Sequence, residues 1–103
     1  MPLDTIKPNS HLELKYRKVP RNRRIEFDIE ASAPVTTFVV DDDGLREYKT
    51  KGSDVYSYYG GFPHRRVHRD RVDFPRDFDG PWYLIIQNDS RTESVSVGYE
   101  VYD

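Results

Sequence analysis

The chain has 103 residues, 36% of them hydrophobic and 33% charged, a size and balance that supply one core and one domain, residues 1–103. A net charge of -2 argues against a globally basic nucleic-acid binder, and the absence of cysteine excludes disulfide scaffolds, thiolate metal sites and cysteine nucleophiles. The polar balance is offset by 8 tyrosines, 5 phenylalanines and 1 tryptophan, since a large ring can bury ~150–250 Å².

Met1 to Ser10 contains no apolar core of signal-peptide length, and the longest apolar runs, Phe38 to Val40 and Trp82 to Ile86, are strand-sized. A soluble, cytoplasmic protein is the expectation, with residues 1–9 loosely ordered and no membrane partner. Leu12, Leu14 and Tyr16 alternate with Glu13, Lys15 and Arg17, which predicts a first strand over His11 to Arg17. After a loop at Lys18 to Arg23, Ile25, Phe27, Ile29 and Ala31 alternate with Arg24, Glu26, Asp28 and Glu30. That second strand is expected to pair antiparallel with the first. Pro34 predicts a break, and Val35 to Val40 a third strand.

Asp41, Asp42, Asp43 and Gly44 fail as a calcium loop of the EF-hand type, because with Gly44 sixth the first position is Val39 and the twelfth Thr50. The acids instead predict a turn opening a short helix over Gly44 to Lys49, where a carboxylate accepts from free amides. Asp54 to Tyr59 reads as a fourth strand and Gly60-Gly61 as a turn. The arginine-rich, interrupted Phe62 to Arg71 then leads into a strand over Arg71 to Phe74. Asp79-Gly80-Pro81 signals a further turn before the most apolar strand, Trp82 to Gln87, expected to be central. Asn88 to Glu93 turns the chain into the last strand, Ser94 to Tyr102. Period two places Trp82, Leu84 and Ile86 on one face, against Val95, Val97, Phe27 and Ile29, with Ile85 on the other. The fold class predicted is all-β: a two-sheet antiparallel, jelly-roll-like sandwich of seven to eight short strands with one short helix.

The segments Leu45-Arg46-Glu47-Tyr48, Tyr58-Tyr59-Gly60-Gly61, Val72-Asp73-Phe74-Pro75 and Gly80-Pro81-Trp82-Tyr83-Leu84-Ile85-Ile86 resemble a small bacterial family of unknown function. Its members are compact β-sandwiches found alone or beside TIR domains, similar to jelly-roll accessory modules. The resemblance covers Val35 to Val101 and implies a fold and a TIR-type effector as neighbour or partner. It implies no catalytic residues. The charged first 34 residues and the arginine-dense Phe62 to Arg71 depart from the family's pattern.

The residues themselves carry no catalytic motif. There is no Gly-x-Ser-x-Gly elbow and no Ser-x-x-Lys pair, and Gly60-Gly61 is not followed by a lysine and a helix. His64 and His68 would share a face on a helix, which Pro63 and the β pattern disfavour, so they read as loop residues and no metal site is expected. The carboxylates cluster locally, as in turns. An enzyme is therefore not expected, and neither is a cofactor.

One juxtaposition stands out. Arg65, Arg66, Arg69 and Arg71 follow Tyr56, Tyr58, Tyr59 and Phe62, and six basic residues without an acid, among them Arg23 and Arg24, run from Lys15 to Arg24. Stacking rings and guanidiniums suit a nucleotide or single-strand surface, whereas charged residues on an edge strand deter unwanted pairing. Two functions follow. The favoured one is a non-enzymatic accessory or interaction module that binds a protein partner or small ligand through its loops. The alternative is nucleic-acid or nucleotide binding through residues 15–24 and 56–71, with Arg65, Arg66, Arg69, Arg71, Tyr56, Tyr58, Arg23 and Arg24 as the ligand or partner contacts in either case. Interleaved surface charge would favour the first, and one contiguous positive face the second.

Overall fold

The structure is a computed structural model and describes residues 3–51 and 60–102, the side chains of residues 51, 60–64 and 68 excepted. Among the described residues the elements run β1 (Leu3–Ile6), β2 (His11–Tyr16), β3 (Arg24–Val40), α1 (Asp42–Lys51), β4 (Gly60–Asp73), β5 (Trp82–Asn88) and β6 (Val95–Tyr102). All strand pairs are antiparallel. The expected all-β fold with one short helix is thus present. The predicted strand over Asp54 to Tyr59 lies outside the described residues.

Two predicted strands are one. Arg24 to Ala31 and Val35 to Val40 merge into the 17-residue β3, and the pairing explains how it tolerates Pro34. Glu26 to Ala31 lie against β6, Val35 to Val40 lie against β5, and β4 runs along both stretches. Ser32, Ala33 and Pro34 fall between these ladders, in a register break of the β4 ladder, so the missing proline N–H costs no ladder bond. Pro63 lies at a second break, where two β4 residues oppose one of β3 between the pairs Val35↔Arg65 and Thr37↔Phe62. The interrupted segment Phe62 to Arg71 and the turn expected at Gly60-Gly61 are therefore strand. Gly60 pairs with Val39 and Gly61 with Phe38. His64 and His68 lie in β4 as well, not in a loop.

The same break folds the sheet over. Fully extended, 17 residues would span about 55 Å, yet side chains on the neighbouring segments that flank its two ends meet. Phe74 follows Asp73, the partner of Arg24, and its ring lies 5.3 Å from that of Trp82, whose neighbour Tyr83 pairs with Val40. The result is a sandwich. One layer is β1-β6-β3-β4, using the first half of β3, and the other is β2-β5-β3-β4, using the second half.

The core sits between the layers, where the alternation of each strand sends its apolar side chains. Phe27, Ile29, Trp82, Leu84, Ile86, Val95 and Val97 join in one buried cluster, as the two-residue period predicts. Ile85 faces the other way and, with Phe38, Val40 and Tyr83, packs beneath Leu45 and Tyr48 of α1. Each such aliphatic residue contributes roughly 1.5–3 kcal/mol by leaving water. The helix starts two residues earlier than expected and runs to Lys51, because Asp41 is the cap: its Oδ1 accepts the Gly44 N–H at 2.8 Å. Asp42 and Asp43 then occupy the first turn, where negative charge is favourable.

Two further expectations are corrected. β2 pairs with β5 rather than with the following strand, because residues 17–23 carry the chain across from one layer to the other, ending at Arg23 with φ 61°. Residues 1–9 are not loose throughout. Leu3–Ile6 pairs with β6, and the buried Asn88 side chain donates to the Ile6 carbonyl at 3.0 Å. Among the described residues no helix is long and apolar enough to cross a membrane.

Candidate docking face

The two layers differ on their outer faces. α1 roofs the outer face of β2-β5-β3, whereas no described element covers that of β1-β6-β3-β4. The register builds this open face in rows. Arg71 (β4), Glu26 (β3) and Tyr102 (β6) form one row, and Arg69, Asp28 and Glu100 form the next. The third row crosses all four strands as Val67, Glu30, Gly98 and Leu3.

Charge in these rows is interleaved. Arg69 grips Asp28 with two bonds, Nε to Oδ1 at 2.5 Å and a terminal nitrogen to Oδ2 at 3.0 Å, and this bidentate contact holds the Asp28 carboxyl below the usual range. The Tyr102 hydroxyl lies 2.9 Å from Glu100 Oε2 and 3.1 Å from Asp28 Oδ2. The two carboxylates, Glu100 foremost, push its phenol up to about 12. Arg71 stands opposite Glu26, with Nε 3.6 Å from Asp73 Oδ2, and Arg24 pairs in register with Asp73.

The predicted site residues do not converge. Arg65, Arg66, Arg69 and Arg71 are exposed along β4, which pairs only with β3 among the described elements and so is an edge strand. Lys15 belongs to the opposite outer face, 6.0 Å from the ring centroid of Tyr83. Arg23 is occupied elsewhere: its guanidinium donates to the carbonyls of Pro75 and Phe78 and to Asp79 Oδ1 at 2.8 Å, fastening the 75–79 loop to the start of β3. Tyr56 and Tyr58 lie outside the described residues.

Three residues that sequence reasoning missed share the open face. Leu3, Val67 and Tyr102 are the exposed large hydrophobic side chains among the described residues, at 71%, 65% and 39% exposure. Val67 carried a signal, as the lone aliphatic residue in an edge segment dense with arginine. Leu3 carried none, because a four-residue strand shows too little alternation to be read. Beside Leu3 lies a groove of about 370 Å³ lined by Leu3, Glu30, Ala31, Ser32, Arg66 and Ser96.

A polar cleft of about 330 Å³ at the far end of α1 is lined by Asn9, Tyr48, Gln87, Asn88, Asp89 and Arg91, and Tyr48, Gln87 and Asp89 are linked there by hydrogen bonds. Tyr48 donates to Gln87 Oε1 at 2.8 Å, and Asp89 accepts from Thr36 at 2.9 Å and from Gln87 Nε2 at 3.1 Å. These bonds tie helix, sheet and turn together. Among the described residues no three His, Asp or Glu side chains gather as metal ligands.

No family model matches the chain, and no curated protein does. Among solved structures it is similar to the crystal structure of the Yersinia pseudotuberculosis-derived mitogen, with a TM-score of 0.55 and 14% identity over 98% of this chain and 81% of that one. At that identity the likeness is one of fold.

Proposed function

We propose that this protein is a non-enzymatic accessory or interaction module that docks a protein partner on the outer face of β1-β6-β3-β4, rather than through the loops that the sequence favours. One observation carries the reading: this is the layer without a described cover, and it holds the three large hydrophobic side chains that are exposed among the described residues, amid paired charges. Apolar residues set among hydrogen-bonded charges are the composition of a docking surface. A fold shared with a protein described as a mitogen is compatible with it. The family resemblance supplies the partner class, a TIR-type effector.

Nucleic-acid binding has less support. Arg69 is already neutralised by Asp28, Arg71 stands among Glu26 and Asp73, and Lys15 is on the opposite face. The test uses the full chain as immobilised bait against a lysate of its source organism, beside a Leu3→Asp, Val67→Asp double variant. A partner held stoichiometrically by the wild type and lost by an equally stable variant is the expected result. A parallel low-salt titration with a single-stranded oligonucleotide should show no saturable binding. Binding with a log-log salt slope of about -0.7 per phosphate, lost on Arg65→Glu and Arg66→Glu, would replace docking with nucleic-acid recognition.

A further inference from the structure

β2 ends its layer, pairing with β5 and with no other described strand. The Asn88 N–H donates to the Ser10 carbonyl at 3.0 Å, so Leu12, Leu14 and Tyr16, in step with Ser10, turn their backbone groups toward β5. Those of His11, Glu13 and Lys15 point outward, where no described strand meets them. The other edges among the described residues are poorer templates for pairing: β1 has four residues, and β4 carries Pro63, two register breaks and a run of exposed arginines. β2 has neither proline nor bulge, and its register with β5 is unbroken over all six residues. Its apolar side is also unfinished. Leu12, Leu14 and Tyr16 pack against the core yet stay only partly buried, whereas Leu84 and Ile86 opposite them are fully buried.

We infer that this edge pairs with the same edge of a second copy of the chain, β2 against β2, antiparallel about a two-fold axis at Leu14. The strand is self-complementary in this register. Leu14 meets Leu14, Leu12 meets Tyr16 on the inner side, and Glu13 meets Lys15 on the outer side, the last two pairs each occurring twice because a two-fold contact is reciprocal. Glu13 and Lys15 are also residues whose backbone groups face outward, so each such pair exchanges two ladder bonds. A one-residue slip would turn charged side chains to the core side. A two-residue slip centres the axis on Glu13 or on Lys15 and sets that charge against its own copy. Glu13 has room for the contact: Lys49 and His11 both meet its Oε1, at 3.2 and 3.3 Å, and among the described residues nothing engages Oε2. Lys15, 6.0 Å from the Tyr83 ring centroid, has no acid partner among the described residues. This interface lies in the layer opposite the docking face proposed above and does not use it.

The experiment is analytical ultracentrifugation of the full chain at low salt. Six residues a side make a small interface, so the expected result is a monomer–dimer equilibrium that moves toward dimer between ~10 µM and ~1 mM protein. Glu13→Lys alone and Lys15→Glu alone should each stay monomeric over that range, because each opposes like charges twice. Mixed in equal amounts, the two variants should associate with each other, and the double variant Glu13→Lys, Lys15→Glu should associate with itself, since both combinations restore opposite charges across the axis. Leu3→Asp, Val67→Asp should dimerise as the wild type does. A wild type that stays monomeric to about 1 mM, single variants that dimerise normally, or a mixture and a double variant that both stay monomeric would overturn the inference. Loss of the dimer in Leu3→Asp, Val67→Asp would also overturn it, by moving self-association to the docking face.

Discussion

Arg23 separates a binding residue from a structural one, and Arg23→Ala decides between them. Its backbone sits at φ 61°, and alanine carries the same Cβ, so the substitution leaves the backbone strain unchanged and reports on the side chain alone. What is lost is the clamp on Pro75, Phe78 and Asp79. The Asp79 contact counts for little, since that carboxylate is 84% exposed and such pairs contribute ~0–1 kcal/mol. Hydrogen bonds from a charged donor contribute ~1.5–3 kcal/mol each, and the buried Arg23 Nε, which has no partner, offsets part of that gain. A net loss of about 2–4 kcal/mol follows, which in a domain of this size lowers Tm by about 10–25 °C. Urea unfolding followed by tryptophan fluorescence reads it directly, because Trp82 donates its indole N–H to the Lys18 carbonyl nearby. Arg23→Lys should recover little, since an ammonium lacks the planar fork that reaches several acceptors at once. A Tm within about 3 °C of wild type, joined to loss of partner binding, would refute the clamp and restore Arg23 as a contact residue.

Three further outcomes are expected. Ile86, fully buried in the core, loses three carbons on Ile86→Ala, about 2.4 kcal/mol of transfer free energy at ~0.8 per carbon and ~2–5 with the cavity left behind; an unchanged melting temperature would sink the inward assignment of β5. Asp41→Ala removes the cap on Gly44 and should cost ~0.5–2 kcal/mol, whereas Asp43→Ala, whose ion pair with Arg46 is exposed, should fall within the error of chemical denaturation. The Tyr83 phenol, donating to Asp42 at 2.6 Å in a buried position, is pushed up to about 12 from its ordinary 10. Because the folded value is the higher one, the stabilisation is complete below pH 10 and fades as pH rises through 12. An alkaline absorbance titration should lose one late-ionising phenol in Tyr83→Phe; loss of an ordinary one instead would show that the Asp42 bond is not formed.

What the sequence made legible is what local periodicity encodes. Ile25, Phe27, Ile29 and Ala31, and then Trp82, Leu84 and Ile86, announce an inner face without knowledge of their partners, because side-chain direction alternates within each strand. Partners are another matter. Leu12 faces Ile86 across 74 positions, a pairing that depends on residues 17–23 crossing between layers, and no local feature of that loop states where it must go. The strand break that Pro34 suggests is absent for the same reason. A proline ends a strand only if its amide was owed to a neighbour, and here β3 changes neighbours at that residue.

The candidate face suffered more than the core, since every element of it is a relation between strands. Arg69 looks like a free cation until the register sets it beside Asp28, 41 residues away, and the arginine run then ceases to be a positive strip. Exposure follows the same logic. A hydrophobic residue becomes a candidate contact only when the fold has declined to bury it, so Leu3 and Val67 acquire meaning after the core has closed. Charge-dense composition marked the right strand, β4, for a property its arginines do not have. Glu30, which composition could not mark, is the acid that the same register leaves exposed on this face without a hydrogen-bond or ion-pair partner among the described residues.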